Sequence, residues 1–117
     1  MRTSVVIASH NEGNRLWKTV HSVTESIEDL DYEIIVSDDA SDDHSISELT
    51  DRYPSVKIVR QKSRLGASPT KALGAAHATG DALVFLDGHS KPERGALERL
   101  VKGLHRTRGK AIITPEV

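Results

Sequence analysis

The chain contains no cysteine, which excludes a disulfide scaffold and thiolate metal sites. It also fits a reducing compartment, so a cytoplasmic location is expected. Aromatic residues are scarce, at one Trp, two Tyr and one Phe, so aliphatic side chains must fill the core. No sign of charge dominates: 16 basic and 17 acidic side chains leave a formal net charge of −1. Such a chain has no overall field to draw it onto nucleic acid, and no nucleic-acid partner is expected. Long apolar runs are missing too. Met1 and Arg2 lead into six mostly apolar residues before Ser9 and His10, too few for a signal-peptide core or a membrane span. No transmembrane segment is expected, and any membrane contact would be peripheral. No repeat, low-complexity tract or Pro/Gly-rich linker divides the chain.

What remains is a sequence of 117 residues, 37% hydrophobic and 28% charged, the size and balance of one soluble domain with one core. Its apolar spacing alternates between short continuous runs and helical steps, the pattern of a mainly parallel α/β sheet with flanking helices. Strands are predicted at Thr3 to Ala8, Glu33 to Val36, Val56 to Val59, Ala82 to Leu86 and from Ala111 to Thr114. Leu16, Val20, Val23, Ile27 and Leu30 step through the first helix. Ser45-Ile46-Ser47-Glu48 has the capping-box spacing of a second helix, which ends before Pro54. Ser68 and Pro69 suit the N-cap and first position of a third, with Gly80 as its stop. Ser90-Lys91-Pro92-Glu93 suits a fourth helix, with Leu97, Leu100, Val101 and Leu104 on its buried stripe.

Ligands of open α/β sheets bind outside the carboxyl ends of the strands. Three of those ends are polar: Ser9-His10-Asn11-Glu12, Asp38-Asp39 and Asp87-Gly88-His89. Asp87 and His89 flank a glycine, so two metal-ligating side chains project from one turn while Gly88 leaves room for a phosphate. Two protein ligands leave most of an octahedral shell to diphosphate oxygens and water, and a carboxylate with an imidazole leans toward manganese over magnesium. Each piece has a plainer reading. Asp87 and His89 form an Asx-type turn before a helix. Asp38 and Asp39 are acidic residues ahead of a helix N-terminus. His10 is a structural strand-end histidine. Arg60, Lys62, Arg64 and Lys71 make a solvated basic surface.

Taken together, the segments resemble the GT-A glycosyltransferases, chiefly family 2 and the polypeptide N-acetylgalactosaminyltransferases. Ser4-Val5-Val6-Ile7 running into His10-Asn11-Glu12, and Thr19-Val20-His21-Ser22-Val23, resemble the opening strand and helix of the latter group. Glu33 to Ser41 resembles the second strand with its acidic pair, and Phe85-Leu86-Asp87-Gly88-His89 resembles the metal motif in its Asp-x-His form. The resemblance implies a Rossmann-like nucleotide-binding half of about five strands. It implies that Asp39 binds the uracil or ribose of a UDP-sugar, that His10 lines the base pocket, and that Asp87 and His89 hold Mn2+ or Mg2+ with the diphosphate. Ala8, Glu12 and Gly88 belong to the same implied nucleotide site, with Ala8 where relatives often carry a hydroxyl. Lys71 stands where relatives usually carry arginine and would meet a phosphate or Asp39 as a point charge.

Relatives continue for a further hundred or more residues that carry the acceptor site and, in inverting members, the catalytic base. The chain stops at Thr114-Pro115-Glu116-Val117, which resembles the next strand, so residues 1–117 are expected to be a donor-binding domain that is inactive alone. No catalytic base is assigned. The resemblance implies inversion for family 2 and retention for the N-acetylgalactosaminyltransferases, and the acceptor is unknown. An uncovered strand edge would favour self-association, which light scattering at several concentrations reads. Three other functions compete. A nucleotide-binding or regulatory module would keep the pocket without chemistry. A receiver-like domain would carry its acid pair after strand 1, where His10-Asn11-Glu12 stands instead. A nucleotidyltransferase would carry a glycine-rich loop there, where only Gly13 occurs.

Overall fold

The computed structural model describes residues 2–27, 30–90, 92, 94–107 and 112–113, with nine elements in strict alternation. They are β1 (Arg2–Ser9), α1 (Arg15–Ser26), β2 (Asp31–Asp39), α2 (Ser45–Arg52), β3 (Lys57–Gln61), α3 (Ala67–Ala76), β4 (Ala82–Asp87), α4 (Ala96–Thr107) and β5 (Ile112–Ile113). The strands form one sheet in the order β3-β2-β1-β4-β5, and every pairing is parallel. This is the expected fold class. Lys91, Glu93, Ala111 and residues 114–117 lie outside the described residues, as do the side chains of Leu100 and Leu104.

β1 is the central strand and its side chains are buried on both faces, which is why it reads as a continuous β-branched run rather than an alternating one. Val5 and Ile7 share one core with Ile34, Val36, Leu16, Val20, Val23, Leu49, Val84, Leu86, Leu97 and Val101, so α1, α2 and α4 cover that face. Side chains alternate along a strand, so Val6 and Ser37 face the other way, toward α3. There Gly74 lets α3 lie close: a Cβ at this position would sit 2.5 Å from Val6 Cγ1 and 3.1 Å from Ser37 Cβ.

Several predicted ends move. β2 runs on through Ser37, Asp38 and Asp39, which pair in the ladder with Val59, Arg60 and Gln61. These polar residues stay in the strand because each finds a side-chain or backbone partner, a fact invisible to hydropathy. α2 has His44 rather than Ser45 at its N-cap position. Asp43 supplies the acceptor there, taking hydrogen bonds from Ser45 N at 3.0 Å and from Ser45 Oγ. α3 starts two residues early, with Gly66 at the N-cap position and Pro69 within the first turn, where its missing N–H matters least. It ends at Ala76, not at Gly80. Gly80 has another cause, since a Cβ there would meet Ser4 N at 2.7 Å and Arg2 O at 2.8 Å. α4 begins at Ala96, after Gly95 at φ +77°.

Candidate functional site

The sheet order reverses between β1 and β4, and there the predicted residues meet. Strand register places Ala8 beside both Ser37 and Asp87, and Ser9 beside Asp38. Ala8, His10, Glu12, Asp39, Asp87 and His89 line one open cleft, and Ser9, Arg64, Ala67 and Thr70 complete it. The loops that follow β1 and β2 beside it are laced together. Asn11, in the left-handed region at φ 47°, turns the chain out of β1, and its N–H donates to Ser41 Oγ at 2.9 Å. Asp42 N donates to Asn11 Oδ1 at 2.8 Å, and Gly13 N to Asp43 Oδ2 at 3.0 Å. Burial alone would raise the Asp43 carboxyl, but its bonds from Ser45 and Gly13 outweigh that and hold it below its usual value.

The adjacent aspartates divide their work. Asp38 is fully buried and accepts from Ser9 Oγ at 2.8 Å, from Ser41 N at 3.0 Å and from Ser41 Oγ, so it ties β1 to the turn after β2. Asp39 faces the cleft. Its Oδ1 accepts from Gln61 Nε2 and Leu65 N, both at 2.8 Å, and its Oδ2 from Gly66 N at 3.0 Å and Arg64 Nε at 3.1 Å. Burial by itself would raise this carboxyl, but the Leu65 and Gly66 N–H groups and the Arg64 guanidinium together lower it. Arg64, whose plainer reading is a solvated surface, lines the cleft and is still more than half exposed. The signal for it is Gly66, whose φ of +95° bends the loop back onto the end of β2.

His10 Nδ1 lies 2.6 Å from the Asp39 carbonyl oxygen. A carbonyl only accepts, so Nδ1 carries the proton and the neutral ring's Nε2 accepts from Asn11 Nδ2 at 3.3 Å. Both ring nitrogens are thus committed within the protein, and His10 lines the cleft. On the β4 side, Ser90 N donates to Asp87 O at 3.1 Å, so residues 87–90 do form a tight turn. The turn and the site are not alternatives, because Asp87 and His89 still line the cleft, each about half exposed. Lys71 Nζ stands 3.5 Å from Asp87 Oδ1, on Asp87 rather than Asp39. His89 Nδ1 stands 3.4 Å from Glu12 Oε2. The space beside Gly88 is filled from within the protein: a Cβ there would lie 2.7 Å from Glu12 Cγ and 3.2 Å from Ala8 O.

Among the described residues no three His, Cys, Asp or Glu side chains are grouped to hold a metal. Asp87 and His89 are the residue types that could each give one ligand to a divalent ion.

The model of glycosyl transferase family 2 matches residues 4–115. The chain belongs to that family. This family 2 domain is 40% identical over 121 residues to polypeptide N-acetylgalactosaminyltransferase 10 of Rattus norvegicus, covering 98% of the chain and 20% of that protein. It is 40% identical over 114 residues to N-acetylgalactosaminyltransferase 7 of Drosophila melanogaster, covering 92% and 19%. Among solved structures it is similar to S. aureus TarS 1-349 in complex with UDP, with a TM-score of 0.80 at 17% identity over 92% of the chain and 33% of TarS 1-349. The domain thus spans about a fifth of the length of the curated relatives it matches, and the position of its cleft in the fold is that of an α/β switch point.

Proposed function

We propose that this domain is the donor-binding part of an enzyme that transfers a sugar from a UDP-sugar, held with a divalent metal, to an unidentified acceptor. The observation that carries the proposal is the meeting of Asp39, Asp87 and His89 in one cleft at the switch point of a family 2 chain. TarS 1-349 has been solved with UDP and with UDP-GlcNAc, which supports a uridine nucleotide as the ligand class. The metal, Mn2+ in preference to Mg2+, would neutralise the departing diphosphate when bound.

The chain's own residues divide the remaining tasks. Asp39 accepts a base or ribose hydrogen bond in place of one of the loop donors it now holds. His10 bounds the base. Ala8 leaves the base free of a hydroxyl contact, and Lys71, released from Asp87, meets a phosphate oxygen as a point charge. The acceptor site and catalytic base are proposed to lie in sequence outside residues 1–117.

Calorimetric titration of the chain with UDP, GDP and CDP, each with and without Mn2+, tests this reading. Metal-dependent UDP binding is expected, lost when Asp87→Ala and His89→Ala are combined. Absence of nucleotide binding by the wild type under all conditions would sink it. A module that binds nucleotide without chemistry is the second reading, favoured by the carboxylate of Asp39 being saturated with protein donors. Sugar transfer or UDP-sugar hydrolysis by a longer chain containing this domain would overturn that alternative.

A further inference from the structure

We infer that Glu12 is a positioning residue for His89: its carboxylate selects the Nδ1–H tautomer of the neutral ring and so keeps the Nε2 lone pair free for a ligand. This rests on the donor-site reading above, in which His89 is a metal ligand.

Glu12 Oε2 is buried and accepts no hydrogen bond, although the side chain as a whole is only 14% exposed. A buried carboxylate oxygen without a donor is unfavourable unless some group supplies one on demand. Two groups are near. His89 Nδ1 is at 3.4 Å, and Arg15 NH2, on a side chain 61% exposed, is at 3.7 Å. The histidine is the closer of the two, and its side chain is 54% exposed.

The fit is built into the backbone. Any side chain at residue 88 would collide with Glu12 Cγ, so the glycine of the Asp-Gly-His turn makes room for the glutamate itself. A carboxylate is acceptor-only, so a hydrogen bond that closed the 3.4 Å gap would require the proton on Nδ1. The opposite nitrogen then holds the lone pair. This is the outer-shell arrangement that orients metal-bound histidines and raises their basicity. Glu12 as a third metal ligand is the competing role, and the described residues contain no group of three that could hold an ion.

The test begins without metal. In 15N-histidine-labelled chain, at a pH where imidazole is neutral, two-bond nitrogen–proton correlations report the tautomer of His89, assigned by the signal missing in His89→Gln. Wild type is expected to be Nδ1–H. Glu12→Met, which fills the same space without an acceptor, is expected to return the ring toward the Nε2–H form that free histidine favours. Glu12→Gln keeps an acceptor oxygen and is expected to retain the wild-type tautomer. Mn2+ alone, titrated by electron paramagnetic resonance, should bind about 10–100-fold more weakly to Glu12→Met, with Glu12→Gln close to wild type.

An Nε2–H ring in wild type overturns the inference even if Glu12→Met fails to fold. So does a tautomer unchanged in a folded Glu12→Met, and so does a loss of Mn2+ in Glu12→Gln equal to that in Glu12→Met, which would mark Glu12 as a direct ligand. Failure of the donor-site reading looks different: wild type shows the Nδ1–H ring and its dependence on Glu12, yet binds neither Mn2+ nor UDP.

Discussion

Asp38 and Asp39 show how two identical side chains, one residue apart, acquire separate roles from the pleat of a strand. The first is turned inward and satisfied by serines on β1 and on the following turn. The second holds a loop with its four acceptor positions and lines the cleft. Replacing either by Asn removes charge-assisted bonds, each of about 1.5–3 kcal/mol, and turns an NH2 group toward a donor. Asp38→Asn is expected to lower stability by roughly 2–3 kcal/mol while the surviving folded protein keeps its UDP affinity. Asp39→Asn should lower both. Urea denaturation and calorimetry on the two variants decide it, and equal losses of affinity would remove the distinction. Sequence alone shows the pair but not the division, because it depends on which side chains the neighbouring strands bring opposite. Arg64 was hidden for the same reason: its partner is 25 positions away.

At the scale of elements, the alternation of strand and helix was legible because apolar period is set by local geometry. Element ends were less legible, since they are decided by contacts across the sheet. Gly80 reads as a helix stop in sequence, but it is the place where the chain passes against the backbone of β1. Gly74, within α3, sets the distance of that helix from the sheet. Gly80→Ala meets backbone atoms at 2.7 and 2.8 Å, which no rotamer change can move, whereas Gly74→Ala meets the methyl of Val6. Overpacking of this kind typically destabilises by about 1–3 kcal/mol. Gly80→Ala is expected at or above the upper end, and the larger of the two losses in thermal or urea unfolding. A smaller loss at Gly80 than at Gly74 would contradict this account of β1 as the rigid partner.

The whole molecule is tied at both ends of its sheet. Opposite the cleft, Glu33 is buried beneath Lys57 Nζ at 2.8 Å, Ser4 Oγ at 2.6 Å, and Thr79 N and Oγ1 at 2.6 and 2.8 Å. Burial alone would raise its carboxyl, but Lys57, Ser4 and Thr79 outweigh that and bring it from 4.5 down to about 2. Asp39 and Asp43 shift in the same direction. A folded value below the unfolded one adds stability that is complete above the unfolded value and lost as pH falls. Urea midpoints are therefore expected to drop between pH 4.5 and about 2, with a shallower drop in Glu33→Gln. A wild-type midpoint that stays flat across that interval would exclude Glu33 as a source of acid sensitivity. The cleft end is balanced in another way. Lys71 sits on Asp87 and Arg64 on Asp39, while His89 lies beside Glu12, so two of the cleft's acids are paired with cations. For the metal and diphosphate proposed above, Asp87 would pair with the cation and Lys71 with the anion, so that binding would exchange the companions of an existing ion pair.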